Sequence, residues 1–548
     1  MFENITLKFT DSHDIVIPTK GITIFVGPNN SGKSLVLREF ELLSQQGVDS
    51  TFKVIRDFEV YWPSEKELDD ALEKFAKLQH HIDHQAVLGH IDPRHGLQFE
   101  RVTLLDFKLQ AKRKEDKTAW ARQYARWGFT RLDGRSRFYL TDEKEAGDLT
   151  LFPQNILRSL FDDEKSRSKV QDIVYDAFNV FLTIDPTKVG WLRLKVSPEK
   201  PVEDEQSLNS YAREYFRKAI GIEETGDGVQ AFVGITAAVF SGEFHSVLID
   251  EPEAFLHPPL ARKLGRHLAR SALEKNGTLM ASTHSPDFLM GCIQEAKNVQ
   301  IVRLEYVDGK SRGKLISPEV LGELLRRPLM RSANVVSSLF HDGVVITESD
   351  NDRAFYSEIY YRLSEQSGGA FPSVLFINAQ NKQTIKDIVG PLRAFGVPAA
   401  AITDIDIIKD GGKTWLDWMA AAKVPLILRD GFSNQRIALK ARFDAGGRDM
   451  KTEGGVAILS PDDRLAADQF FNTVGDYGIF VVRGGELENW LSQLGVQGKK
   501  TDWTINMLGA LGSDPASSAY VRPEKGDVWG FMAKIASWVR DASRKGTP

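Results

Sequence analysis

The stretch ITIFVGPNNSGKSLVLREFELL, residues 22–43, decides the fold of the N-terminal part of the chain. Ile22–Val26 reads as a short strand of β-branched and aromatic residues. Gly27-Pro28-Asn29-Asn30-Ser31-Gly32-Lys33-Ser34 follows, and the next nine residues take helical spacing. This is GxxxxGK[ST] in its strand–loop–helix context. Its glycines let backbone N–H groups wrap phosphates at a helix N-terminus. In such a loop Lys33 reaches the β- and γ-phosphates and Ser34 ligates Mg²⁺, so the expected cofactor is ATP with Mg²⁺.

Working outward, SVLIDEPEAFLHP (246–258) is an apolar strand that ends in Asp250 and Glu251. Asp250 suits an outer Mg²⁺ contact, and Glu251 suits the base that polarises an attacking water. A helix and a third strand follow, GTLMASTHSPDFL (277–289), with Thr283-His284 at the strand end. That order brings an imidazole near a γ-phosphate. The set resembles the ATP-binding cassette ATPases of the SMC-like branch. The resemblance implies a signature segment upstream of Asp250, and Glu224-Thr225-Gly226-Asp227-Gly228-Val229-Gln230 stands there before an apolar helix. It departs from LSGGQ, keeping the second glycine and the glutamine. In that family the segment caps ATP on the opposite subunit. The resemblance therefore implies that Gly226 and Gly228 contact nucleotide across a homodimer, or higher oligomer, of heads. The spacing from Lys33 to Gly228 is too short for a long SMC coiled coil.

Between these motifs, residues 108–137 hold ten Lys/Arg against three Asp/Glu. Trp120, Tyr124, Trp127 and Phe129 interleave with them. Basic residues neutralise phosphates and aromatic faces stack on bases. The spacing of Trp120, Tyr124 and Trp127 is equally that of a helical core stripe. Nucleic acid, a partner surface and core packing all remain open here.

A second α/β pattern begins after 331–342. GVVIT (343–347) ends in Glu348-Ser349-Asp350-Asn351-Asp352, and a helix follows. SVLFI (373–377) is the next strand. PAAAIT (398–403) ends in Asp404-Ile405-Asp406, and a later strand through Val482 leads to Glu486 and Glu488. Parallel strands place ligands at their carboxyl ends. Carboxylates gathered there repel one another unless a divalent cation lies between them, and oxygen ligands favour Mg²⁺ or Mn²⁺. Two such ions activate water and stabilise a leaving oxygen.

Strand-E-x₃-D followed by strand-DxD resembles the Toprim fold, with Ser349 where glycine is usual. An SMC-like ATPase followed by Toprim resembles the overcoming-lysogenization-defect (OLD) family of ATP-dependent endonucleases. This resemblance implies an ABC-type ATPase domain over 1–335, with a basic-aromatic insertion near 100–145. A Toprim nuclease domain follows over 340–548. It assigns metal ligation to Glu348, Asp352, Asp404 and Asp406, with Glu486 and Glu488 as candidates for a second ion. It also asks for a late lysine, for which Lys499 or Lys500 is available; Lys500 is the candidate for stabilising developing charge. It admits roles in anti-phage defence, beside a helicase-like partner or a retron reverse transcriptase and its branched DNA–RNA product. DNA is the expected substrate. The competing expectation is an ATP-dependent sensor or clamp whose Toprim domain is a non-cleaving scaffold. A topoisomerase or primase reading lacks a separate tyrosine domain and, with one cysteine, a zinc ribbon.

At 548 residues the length suits two to four domains. No run of about 18 uncharged apolar residues occurs, so no membrane span is expected. The start MFENITLKF lacks the pattern of a signal peptide. Cys292 is the single cysteine, which excludes an internal disulfide and a thiolate cage. These features predict a cytoplasmic protein. The net charge of −5 leaves room for a local basic patch. RKGTP at the end reads as a frayed tail.

Overall fold

The architecture comes from a computed structural model. It describes residues 2–75, 78–82, 85–103, 108–109, 112–123, 128–201, 206–241, 244–326, 333–367 and 371–546. The chain forms two compact units, Met1–Val26 with Asn30–Val320 and Gly27–Asn29 with Leu321–Pro548.

The first unit is organised by a sheet of six strands among the described residues. They are β1 (Gly21–Val26), β2 (Phe129–Leu132), β3 (Ser246–Asp250), β4 (Thr278–Ser282), β5 (Val299–Val307) and β6 (Lys310–Ile316). Their order is β6-β5-β1-β4-β3-β2, all parallel except the β5–β6 hairpin pair. Parallel strands covered on both faces need continuous apolar sequence. The ITIFV and SVLI runs supply it, and Ile22, Ile24, Phe25, Leu248 and Ile249 are fully buried. Phe25, Ser282 and Asp250 lie opposite one another in register, so the carboxyl ends of β1, β4 and β3 finish at one level. Helices α1 (Lys33–Gln46), α2 (Asp227–Ser241), α3 (Pro258–Glu274) and α4 (Pro286–Glu295) follow or precede these ends. A separate antiparallel sheet sets Phe2–Leu7 between Ile15–Pro18 and Ile55–Val60.

The second unit is built on β7 (Gly343–Thr347), β8 (Val374–Asn378), β9 (Ala399–Asp404) and β10 (Ile479–Val482). They are all parallel, in the order β8-β7-β9-β10. The two central strands, β7 and β9, carry Glu348 and Asp404 at their carboxyl ends. Helices α5 (Asp350–Gln366), α6 (Lys382–Ala394), α7 (Lys500–Leu511) and α8 (Asp527–Arg540) surround the sheet. Trp503, Trp529 and Trp538 are buried in one cluster with Phe355 and Tyr356.

The expected frayed tail is corrected through Gly546. Arg544 is buried and donates to the carbonyls of Val539 and Asp541. The carbonyl of Gly546 accepts from buried Arg393 at 3.0 Å. Arg393 also donates to the carbonyls of Ala399, Ala422 and Tyr477, so the tail shares a guanidinium with β9. Among the described residues, no helix is long and apolar enough to cross a membrane.

Candidate functional site

The sequence-selected residues assemble at two carboxyl edges, one in each unit. The loop between β1 and α1 bends through Gly27 (φ 141°), Asn30 (φ 62°) and Gly32 (φ 96°). Gly32 occupies the N-cap of α1, so the first N–H groups of the helix face the loop. Asn29 and Asn30 are exposed, whereas Ser31 and Lys33 are buried. Lys33 Nζ lies 3.4 Å from Ser31 Oγ. Burial holds the Lys33 pKa down at about 8 despite Glu251, Asp250 and Glu253 nearby. A buried ammonium of this kind gains from an anionic ligand.

Ser34 Oγ donates to Asp250 Oδ1 at 2.8 Å. Ser282 Oγ donates to the same oxygen from β4, the strand between β1 and β3. Ser34 and Asp250 thus form an oxygen pair suited to Mg²⁺. Glu251 is half-exposed, and its Oε1 is 3.9 Å from His284 Nε2. Burial, and then Lys33, depress the His284 pKa to about 4, which keeps the imidazole neutral near pH 7. The His284 backbone N–H donates to Glu253 Oε1 at 2.6 Å. Burial pushes the Glu253 carboxyl up. Gly226 and Gly228 lie at the start of α2, where Gln230 Nε2 bonds the Thr225 carbonyl at 3.0 Å. A Cβ on Gly228 would stand 2.8 Å from the Phe255 carbonyl oxygen, so only glycine fits without a shift.

In the second unit Glu348 Oε1 accepts from the Asp404 backbone N–H at 3.3 Å. Burial, then Asp404, raises the Glu348 pKa to about 7. Burial likewise raises Asp352 to about 6, with Asp404 and Glu488 adding to the effect. Asp404 and Glu486 are also raised, burial being the largest cause in each. Glu348 therefore feels Asp404, Asp406 and Asp352; Asp352 feels Asp404 and Glu488; and Glu486 feels Glu488 and Asp404. Buried like charges of this sort form a donor set that fits a hard divalent cation. Among the described residues, however, no three Asp, Glu, His or Cys side chains form a ready cation cage. Lys451 Nζ instead sits 2.6 Å from Asp404 Oδ2. Burial opposes the charge on Lys451, but the Asp404 pair outweighs it and holds the ammonium protonated. Asp406 pairs with Lys382 at 3.1 Å.

Lys500 opens α7 with φ 50°, and its backbone N–H donates to Glu488 Oε1 at 2.7 Å. Its side chain is exposed. Lys499 acts electrostatically on Glu486. Ser349, the departure from glycine, has φ −139°, an extended conformation open to any residue. It caps α5 in a reciprocal box with Asp352.

Residues 90–290 match a family described as "AAA domain, putative AbiEii toxin, Type IV TA system". Residues 339–406 match one described as "Overcoming lysogenization defect protein-like, TOPRIM domain". These matches give the chain an AAA-type ATPase domain and an OLD-like Toprim domain. It thus joins a P-loop ATPase to a Toprim domain, the make-up of a nuclease-type ATPase, and domains of these kinds generally use ATP and a divalent metal. No curated protein matches the chain. Three solved SMC heads are similar to part of it. One is the SmcHead bound to the C-winged helix domain of ScpA, at 14% identity and a TM-score of 0.37, over 59% of this chain and 99% of that one. A second, from Thermotoga maritima, has 12% identity and a TM-score of 0.28, over 57% and 98%. The third, from Pyrococcus furiosus with its ScpA domain, has 12% identity and a TM-score of 0.33, over 59% and 98%.

Among the described residues of 108–137, most basic side chains are occupied by internal contacts. Lys108, Lys112, Lys117 and Arg131 pair with Asp69, Glu65, Asp57 and Glu41. Arg137 is buried. Trp120 is fully buried and stacks on Trp62 at 5.5 Å, and Phe129 meets Phe40 edge-on. For these two aromatics the core reading holds. Tyr124 and Trp127 lie outside the described residues. Sequence reasoning missed Ser282, Glu253, Arg137, Lys382 and Lys451. Ser282 and Glu253 stood inside quoted motifs and Arg137 inside the basic stretch, whereas Lys382 and Lys451 carried no local signal.

Proposed function

We propose that this chain is an ATP-regulated, divalent-metal-dependent DNA endonuclease or nickase. The observation that carries the reading is the gathering of buried, mutually repelling carboxylates at the carboxyl ends of β7 and β9 in a chain that also holds a nucleotide cradle. Glu348, Asp352, Asp404 and Asp406 are assigned to hold Mg²⁺ or Mn²⁺, with Glu486 and Glu488 as further oxygen donors. When bound, such ions supply an activated water and charge stabilisation for phosphodiester cleavage. The chain's own groups orient that chemistry: Glu348 is fixed by the Asp404 amide, and Asp352 by the Ser349 cap. Lys500 is assigned to developing charge.

At the ATP site, Gly27–Ser34 and Asp250 are assigned to nucleotide and Mg²⁺, Glu251 to polarising water, and His284 to the γ-phosphate. Gly226 and Gly228 are assigned to nucleotide on a second head, so the reading includes ATP-dependent homodimers or higher oligomers. The working domains are taken as 1–335 and 340–548. An anti-phage effector in the cytoplasm, acting with a retron or helicase-like partner, is the proposed setting.

The Lys451–Asp404 pair favours a second reading, in which the Toprim unit is a non-cleaving scaffold neutralised by its own lysine. Calorimetric titration with Mn²⁺ separates the two. Saturable binding to wild type that is lost in Asp404→Asn supports the nuclease reading. Heat no different from that variant's leaves the scaffold reading in place.

A further inference from the structure

Arg137 has no part in the roles assigned so far, yet its side chain is buried against the turn that presents Glu251. Its guanidinium donates to the carbonyls of Asp250 at 2.7 Å, Glu251, and Ala254 at 3.2 Å. Glu251 and Phe255, at the two ends of this turn, both have positive φ, 50° and 68°. A non-glycine residue keeps such a conformation only where its surroundings fix it. The Glu251 carbonyl is fixed twice, by Arg137 and by the Ala254 N–H at 3.1 Å.

The same arginine touches α2. A Cβ on Gly234 would lie 2.7 Å from the Arg137 carbonyl oxygen, so helix and arginine backbone are in direct contact. Gly228, at the start of the same helix, meets the Phe255 carbonyl in the same way. Phe138 packs edge-on against Phe255 at 5.3 Å. The helix that begins with the signature segment is thereby pressed on both Arg137 and the far end of the Glu251 turn.

We propose that Arg137 is a positioning residue for ATP hydrolysis, clamping the Glu251 turn and tying its geometry to the signature helix α2. Arg137 touches backbone carbonyls and acts through Glu251. The inference rests on the reading of Glu251 as the water-polarising base. Arginine suits the position because its planar fork spans several carbonyls while staying charged, whereas a lysine offers one point of donation.

The test compares steady-state ATP hydrolysis by the full chain in wild type, Arg137→Met, Arg137→Lys, Gly234→Ala and Glu251→Gln. Binding of a fluorescent ATP analogue is measured alongside. Displacing a catalytic group by about 1 Å can cost on the order of a hundredfold in rate. Arg137→Met is expected to lose about that much kcat with KM and analogue affinity within about threefold of wild type. Arg137→Lys recovers part of the loss. Gly234→Ala, which keeps the guanidinium but crowds its backbone, also lowers kcat more than it changes KM. Should Arg137→Met fail to fold, Arg137→Lys and Gly234→Ala decide the matter. Wild-type kcat in a folded Arg137→Met, or in both of the other two, overturns the proposal while Glu251→Gln is inactive. An active Glu251→Gln instead overturns the underlying reading of Glu251.

Discussion

Glu348 is buried among acids, and its carboxyl therefore behaves unlike an exposed one. Its pKa is about 7 in the folded protein against 4.5 ordinarily. Between those values the folded state binds more protons than the unfolded state. Its contribution to stability is thus complete below pH 4.5 and is lost as the pH rises through 7. Asp352 acts with the same sign, between 3.8 and about 6. In metal-free protein Glu348→Gln is expected to raise the melting temperature at pH 8, by a free energy on the order of 1–3 kcal/mol. The gain should vanish near pH 4.5, where the glutamate is already protonated. Thermal denaturation in EDTA at both pH values checks this, and equal effects at the two would count against a buried, repelled carboxylate. The same residue was legible in the sequence because acids recur at the ends of successive apolar strands, Glu348 after GVVIT and Asp404 after PAAAIT. Lys451 was not legible. It lies 47 positions after Asp404, and its ammonium reaches the cluster only through a folded turn in which Asp449 accepts its backbone N–H.

At the level of elements, the departure of Ser349 from glycine has a simple cause. The residue after Glu348 is the N-cap of α5, and its hydroxyl accepts from the Asp352 N–H while Asp352 returns a bond to the Ser349 N–H. Serine at such a position favours the helix, and replacing it with alanine costs about 1 kcal/mol while glycine costs a few tenths. Ser349→Ala should therefore lower stability by about 1 kcal/mol in urea denaturation, and Ser349→Gly by clearly less. Equal losses would mean that the box contributes nothing. The cap also fixes Asp352 beside the acidic cluster, so one side chain serves helix and site together. The strands were readable from short continuous apolar runs such as GVVIT and PAAAIT, each ending in charged residues. The fate of the basic stretch was not, because Lys117, Arg131 and Arg137 find their partners on Asp57, Glu41 and the Asp250 turn, all remote in sequence.

For the whole molecule, two carboxyl edges of two parallel sheets carry the candidate chemistry. Their order along the chain was plain from the phosphate loop, the strand ending in Asp250-Glu251 and the strand ending in Asp404-Ile405-Asp406. The sign by which nucleotide controls the second edge depends on which conformation binds ATP better, a property of coupling rather than of any one residue. The most direct measurement is cleavage of supercoiled plasmid in Mg²⁺ or Mn²⁺, with and without ATP. Wild type, Glu348→Ala, Asp404→Ala and Lys33→Ala are compared. The account predicts nicked or linear product from wild type, none from either acidic variant, and a yield in Lys33→Ala that no longer responds to ATP. Wild-type protein that hydrolyses ATP and binds DNA but leaves the plasmid intact under every nucleotide condition would contradict it.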